Sequence, residues 1–233
     1  GRDDVRITLK QACVLSKEEQ LDLNIVVSDG LGDEDRSSLC FYDVGFYNKT
    51  NYRLINILIG NFRVFKKVIK LQSTVVHFHD PELILVGFLF KIFRKKVIYD
   101  IHEDLSATVM HRDWIPAYLK YFLHYFVIFI EYLASLFFDN CIAATPAIAS
   151  RFPKDCVVVQ NFPFSEEFKV NRNMSKNLSA FIYSGGISEL RGFHEMASAM
   201  HLTKSDAKLK LAGEFYPEEL ETKLTSTYSK RKI

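Results

Sequence analysis

Cysteine is scarce in this chain of 233 residues: Cys13, Cys40, Cys141 and Cys156 stand far apart and form no CxxC pair. That usage excludes a disulfide framework and fits reduced thiols buried in a cytosolic protein. Net charge is also small, +2 from 30 basic and 28 acidic residues, which argues against a dedicated nucleic-acid binder. No stretch supplies the roughly 20 uninterrupted apolar residues of a spanning helix. The nearest, WIPAYLKYFLHYFVIFIEYLASLFF from Trp114 to Phe138, is broken by Lys120, His124 and Glu131. Its aromatics surround the helix almost completely, so it is expected to be mostly buried, or to touch lipid along part of its surface, and not to cross a membrane. The chain opens on the charged GRDD, unlike a secretory signal, and internal repeats and low-complexity tracts are absent.

What is abundant is apolar side chain. Hydrophobic residues make up 48% of the chain and mean hydropathy is near zero, the composition of a globular protein with a core. The length accommodates one large domain, or one domain and part of another. Charge is unevenly placed: residues 51–100 carry nine Lys/Arg against three Asp/Glu, whereas residues 1–50 lean acidic.

Helical spacing runs from Val5 to Glu19, with Ile7, Leu9, Ala12, Cys13 and Leu15 as the expected buried stripe. Short apolar runs at Leu21–Ser28, Leu39–Gly45, Thr74–Phe78, Lys96–Ile101, Asn140–Ala144 and Cys156–Gln160 read as strands. DGLGDED after the first of these reads as a turn. Helices are expected over Tyr52–Leu71, Pro81–Phe93 and the aromatic segment, and from Pro146. Unalternating strands separated by helices indicate βα units around a parallel sheet buried on both faces. Phe162–Leu178 loses periodicity and reads as a linker. A second α/β domain then begins: strand Ala180–Ser184, a Gly-rich turn, a helix from about Arg191, strand Lys208–Ala212 and a charged helix. The expected organisation is a domain over residues 1–161, a linker over 162–178 and an incomplete domain over 179–233.

Two polar clusters carry the chemistry. In VVHFHDPEL, strand alternation puts His77 and His79 on one face and Phe78 on the other. An HxH at a strand end, with an aspartate near, is one pattern of metal ligation. Yet Asp80, Pro81 and Glu82 also make a good helix start, as N-cap, N1 residue and first-turn acid. In KKVIYDIHED, Asp100, His102, Glu103 and Asp104 lie at or beyond the carboxyl end of a strand. Open parallel sheets bind ligands at that edge. Thr145 opens the helix after CIAA and offers a hydroxyl either to a ligand or, more simply, to its own helix N-terminus.

HFHDPELILVGFLFK, KVIYDIHED, AATPAIASRF, VVVQNFP and YSGGISELRGFHEMASAM occur in the order seen in bacterial glycosyltransferases of the GT4 type, and DDVRITLKQACVLSK resembles the helix after their first strand. The resemblance covers nearly the whole chain. It implies a GT-B fold, two Rossmann-like domains facing across a cleft, with acceptor bound mainly by the first and nucleotide-sugar by the second. It implies a retaining transfer of sugar to a glycan or lipid-linked acceptor in surface polysaccharide synthesis, in the cytoplasm or peripherally on the inner face of the membrane. His102 matches the histidine beside the reacting sugar, and His79, Asp80, Asp100, Glu103 and Thr145 fall on the acceptor and sugar edge. Gly185 and Gly186 match the diphosphate turn, Arg191 a basic residue on the phosphates, and Gly213 and Glu214 the approach to the nucleotide. Gly186 stands where many members carry arginine. No metal or other cofactor is implied.

The family's first strand and glycine loop, and the paired glutamates that grip its donor, are not matched, so the chain reads as truncated at both ends. Three other readings remain open at this level. One is a non-catalytic GT-B remnant serving as an interaction module. Another is a metal-dependent hydrolase built on His77, His79 and His102, and a third is a nucleotide-sugar epimerase. Arg63, Lys66, Lys67 and Lys70, with KIFRKK at Lys91 to Lys96, form a basic set suited either to an anionic membrane surface or to plain solvation.

Overall fold

The computed structural model describes residues 2–36, 39–45, 53–110, 115–163, 180–203 and 206–222. The chain divides into two compact units, residues 1–163 and 164–233. Both are mixed α/β with parallel strand pairing, compatible with a Rossmann-like fold.

The first unit holds two sheets. Strands β4 (Val75–Phe78), β5 (Lys96–Ile101), β6 (Asn140–Ala143) and β7 (Val157–Val158) pair in that order, all parallel. Each crossover contains a helix, α3 (Ile84–Ile92), then α4 (Leu105–Met110) with α5 (Ala117–Phe137), then α6 (Pro146–Ala149). Val97, Tyr99 and Ile101 of β5 are all buried, and so is Asp100 between them, as expected for a strand covered on both faces. Gly87 lets α3 settle onto the core: a Cβ there would lie 2.6 Å from the Phe138 ring. Phe138 in turn meets Phe78 edge-on at 5.9 Å, and Phe78 stacks on Tyr99 at 5.1 Å.

The other sheet is β1 (Asn24–Val27), β3 (Leu39–Asp43) and β2 (Glu34–Arg36), with β1 parallel and β2 antiparallel to the central β3. DGLGDED therefore supplies a turn and also an edge strand that its acidic composition hides. The turn is drawn in by Asp43, whose carboxylate accepts from the backbone of Asp29, Gly30, Gly32 and Gly45. α2 (Arg53–Lys70) leads from this sheet to β4. Val26 of β1 packs on the core of the larger sheet, but among the described residues no strand joins β1 to β4.

Two expectations are corrected. Val5–Ala12 is a π-helix, continued by a short α1 (Cys13–Leu15), and its buried residues are Arg6, Thr8 and Ala12. Leu9 of the expected apolar stripe is 53% exposed. The segment faces inward with polar groups because it lies against a buried carboxylate. The second correction concerns α5, which is not mostly buried. Its inward residues are Glu131, Ala134 and Ser135, whereas Tyr118, Tyr125 and other aromatics face out.

Glu131 is the anchor of α5. Its carboxylate receives Arg151 Nη2 at 3.1 Å and the Tyr99 hydroxyl at 3.5 Å. Arg151 also reaches Asp104 at 2.6 Å and the Ser106 hydroxyl at 3.0 Å, tying the start of α4 to α5. Asp104 caps α4 by accepting from the Ala107 backbone. Burial pushes the Glu131 carboxyl up to about 7, because the attraction of Arg151 does not offset the lost hydration.

The second unit, among its described residues, is β8 (Ala180–Ser184), α7 (Phe193–Leu202) and β9 (Lys208–Ala212), with β8 and β9 parallel. Ile187, Phe193, Ala197 and Leu220 form its core. Most of the expected linker falls on residues 164–179, outside the described residues, and the expected charged tail extends into residues 223–233, also outside them.

Because the folded value for Glu131 lies above the roughly 4.3 of an unfolded glutamate, its contribution to stability is whole at acid pH and is lost as pH rises toward about 7. Thermal unfolding followed from pH 5 to pH 8 is expected to show that decline in the native sequence, and Glu131→Gln is expected to flatten it. An equal slope in both proteins would mean that Glu131 is ionised throughout.

Candidate functional site

Asp100 is the centre of the site. It sits one residue before the end of β5 with its side chain fully removed from solvent. A carboxylate so placed needs partners on both oxygens. Arg6 Nη2 donates to Oδ1 at 2.8 Å and Gln11 Nε2 donates to Oδ2 at 2.7 Å. Arg6 and Gln11 are five residues apart, and the wider turn of the π-helix brings both to the same carboxylate.

Three histidines close the other side of Oδ2. His79 Nδ1 lies 3.3 Å away, His77 Nε2 3.5 Å and His102 Nε2 3.6 Å. β4 pairs with β5 in parallel, so the carboxyl ends of both strands deliver their histidines to one place. His79 Nδ1 and His102 Nε2 are 2.8 Å apart, so one carries the shared proton and the other accepts it. Burial alone would raise the Asp100 carboxyl; the close approach of the His102, His77 and His79 rings and the Gln11 amide outweighs it and holds the group far below the ordinary carboxylate range. Burial pushes His79 down, outweighing the pull of Asp100, so its ring is neutral at neutral pH.

Beside the cluster is an open depression of about 350 Å³ lined by Asp4, Val5, Arg6, His102, Glu103, Ala144 and Asn161. Arg6 spans cluster and depression, and its Nη1 also donates to the Val159 carbonyl just beyond β7, at 2.9 Å. Asp4 starts the π-helix by accepting from the Ile7 backbone. The wall thus combines cationic and amide side chains with carboxylates.

The expected residues divide accordingly. His79, Asp100 and His102 are brought together, and Glu103 borders the depression, exposed. Asp80 is exposed and stands outside the hydrogen-bonded cluster. It occupies the N-cap position before a 3₁₀ turn, Pro81–Leu83, but its side chain makes no capping bond. The Thr145 hydroxyl accepts from the Ile148 backbone at 3.2 Å, so it serves α6. Arg6 and Gln11 were not singled out from sequence. Their spacing of five is invisible to a search at the α-helical period, and polar residues inside a helical stretch normally mark its outer face.

In the second unit the loops after β8 and β9 touch. Gly185 has φ +137, and a Cβ on Gly213 would lie 1.9 Å from the Gly185 carbonyl oxygen. Gly213 is therefore required by the backbone approach, and Gly185 by its positive φ. Gly186 opens on free space, and Arg191 extends its guanidinium back over the turn, 3.6 Å from where a Gly185 Cβ would stand. Gly192, φ +73, separates the 3₁₀ turn at Glu189–Arg191 from α7. Glu214 is exposed, and its carbonyl accepts from the Ile187 backbone. These residues form a glycine turn with one basic side chain at the carboxyl ends of two parallel strands.

A cation is the other ligand to weigh. His77, His79 and Asp100 offer ligand atoms all within 4.8 Å of one another, and His77 Nε2 is buried without a hydrogen-bond partner. The Arg6 guanidinium on the same carboxylate opposes a second positive charge there. No protein-family model and no curated protein matches this sequence.

Asp100→Asn leaves Arg6 buried opposite a neutral amide. It is expected to cost about 3 kcal/mol in denaturant unfolding, the usual loss when one partner of a buried pair is removed. The sign of the pH effect is opposite to that of Glu131. Asp100 is held low, so its contribution is present above the roughly 3.9 of an unfolded aspartate and is lost as pH falls. Acid unfolding monitored by circular dichroism is expected to be steeper in the native sequence than in the Asn variant.

Proposed function

We propose that this chain carries acceptor-side and donor-side residues of a retaining GT-B glycosyltransferase of the GT4 type. It would move a sugar from a nucleotide-diphosphate donor to a glycan or lipid-linked acceptor in bacterial surface polysaccharide synthesis, in the cytoplasm. The observation that carries the reading is the depression at the carboxyl end of β5. Its lining mixes the cationic Arg6, the imidazole of His102 and the amide of Asn161 with the carboxylates of Asp4 and Glu103. Sugar hydroxyls each donate and accept, so a wall of mixed polarity suits them better than it suits a fully ionic or an apolar ligand. The ordered motif series in the sequence points the same way.

His102 is the residue beside the reacting carbon in this reading. The buried Asp100 and the neutral His79 hold its ring, so it positions and polarises the sugar without forming a bond to it. The Gly185–Gly186 turn and Arg191 receive the diphosphate. Backbone N–H groups and one guanidinium stabilise the charge that develops as the phosphate leaves, with no metal needed.

Titration calorimetry with UDP, GDP and ADP tests the donor half. One of them is expected to bind, and Arg191→Ala to weaken it about tenfold, the worth of one charge-assisted hydrogen bond. Absence of binding for all three would remove the reading. For transfer, His102→Ala is expected to lower turnover about 10²-fold with an unchanged circular dichroism spectrum. Undiminished transfer would place the reacting carbon elsewhere.

The close approach of His77, His79 and Asp100 supports a second reading, a metal-dependent hydrolase. It requires stoichiometric Zn²⁺ or Mn²⁺ that His77→Ala releases. The glycosyltransferase reading requires activity that survives a chelator.

A further inference from the structure

A helix on the surface of a water-exposed domain ordinarily turns its apolar side inward. α5 does the reverse. Its inward positions are Glu131, Ala134 and Ser135, whereas Tyr118, Tyr121, Phe122, Tyr125, Phe129 and Tyr132 are between 46% and 82% exposed. The helix has 21 residues with a hydropathy of 1.3, long and apolar enough to cross a bilayer by composition. It is nonetheless held to the domain, through Glu131 on Arg151 and through the packing of Ala134 and Phe138 in the core.

The apolar surface continues on the neighbouring helices. α3 packs beside α5, with Phe88 at 6.1 Å from Phe137, and exposes Leu85, Leu89 and Ile92. Between α3 and α2 runs an apolar groove of about 240 Å³, to which α2 contributes the exposed Leu58 and Phe62. The carboxyl ends of α2 and α3 are basic. Lys70 closes α2, Lys91 lies in the last turn of α3, and Arg94, Lys95 and Lys96 follow it, where the Lys96 backbone bonds to Thr74 just before β4. Among the described residues, the carboxylates at this end are Asp139, bound by Lys91 at 2.7 Å, and Asp155.

We propose that the outer faces of α2, α3 and α5 form one surface that lies in the headgroup layer of an anionic membrane without crossing it. The exposed side of α5 carries four tyrosines, Tyr118, Tyr121, Tyr125 and Tyr132, beside four phenylalanines, and a tyrosine ring, apolar with a polar tip, partitions to the interface between water and hydrocarbon. The basic ends of α2 and α3 supply the counter-charge for lipid phosphates. A second copy of the chain would cover the aromatic stripe but would give that basic rim no counter-charge. The inference does not depend on the glycosyltransferase reading, and its test uses no nucleotide-sugar.

The full chain is sedimented with vesicles of phosphatidylcholine alone, or of phosphatidylcholine with phosphatidylglycerol, at low and high salt. Binding is expected only to the anionic vesicles and is expected to weaken at high salt. Arg94→Gln and Lys96→Gln should each reduce it about fivefold. The triple variant Tyr121→Ser, Tyr125→Ser, Phe129→Ser should abolish it with an unchanged circular dichroism spectrum, because all three side chains point away from the core. Absence of binding, or equal binding to neutral vesicles, would overturn the proposal. So would a dimer, seen by light scattering without lipid, that the triple variant dissolves, since a second copy would then be what covers the face.

Discussion

A carboxylate taken wholly out of water must be answered on both oxygens, and the first unit is organised around doing so for Asp100. The N-terminal segment supplies Arg6 and Gln11, β4 supplies His77 and His79, and the turn after β5 supplies His102. Three stretches of chain far apart in sequence are thereby fixed relative to one another at the carboxyl ends of the strands. The π-helix follows from the same demand. An α-helix would put residues five apart on different faces, and only the wider turn lets Arg6 and Gln11 reach one group. The wall of the depression is a by-product of this arrangement, since Arg6 and His102 face it while bound to Asp100.

Much of the strand and helix succession was legible in the sequence because its signals are local. β-branched runs at Val75, Lys96 and Asn140, bounded by turn residues, specify strands, and the spacing from Arg53 to Lys70 specifies a helix. Three features were not legible, each for a physical reason. Glu34–Arg36 is strongly acidic and pairs only because β3 offers it an edge. The inward face of Val5–Ala12 is polar because its partner is a charge 94 residues away, which no local pattern records. α5, with aromatics around almost all of its surface, was expected to be mostly buried or to touch lipid along part of it; the first alternative fails, since Glu131 is buried and Tyr125 exposed.

The candidate site shows the same division. Histidines at strand ends are visible in a sequence, and parallel pairing suffices to bring His79 to His102. That Thr145 would serve its own helix was also readable from Thr-Pro. Asp80 was expected to do two jobs, capping and ligand binding, and its side chain makes no capping bond. In the second unit the glycines announce a tight backbone, and the structure gives two reasons: a Cβ on Gly213 would strike the Gly185 carbonyl, and Gly185 takes a positive φ.

β7 is two residues long and ends the larger sheet. Val157 is 59% exposed and Val158 40%, with Val159 next to them. A longer run of such residues on an open edge would invite a strand from another molecule. Pro153, Lys154 and Asp155 precede the run and Pro163 follows it, residue types that interrupt pairing and keep aggregation-prone strands short. Self-association of this protein is therefore sensitive to a small stretch beside the site, whose Val159 carbonyl accepts from Arg6. Changes that extend β7 or remove its flanking charge would favour self-association while leaving the histidine cluster as it is.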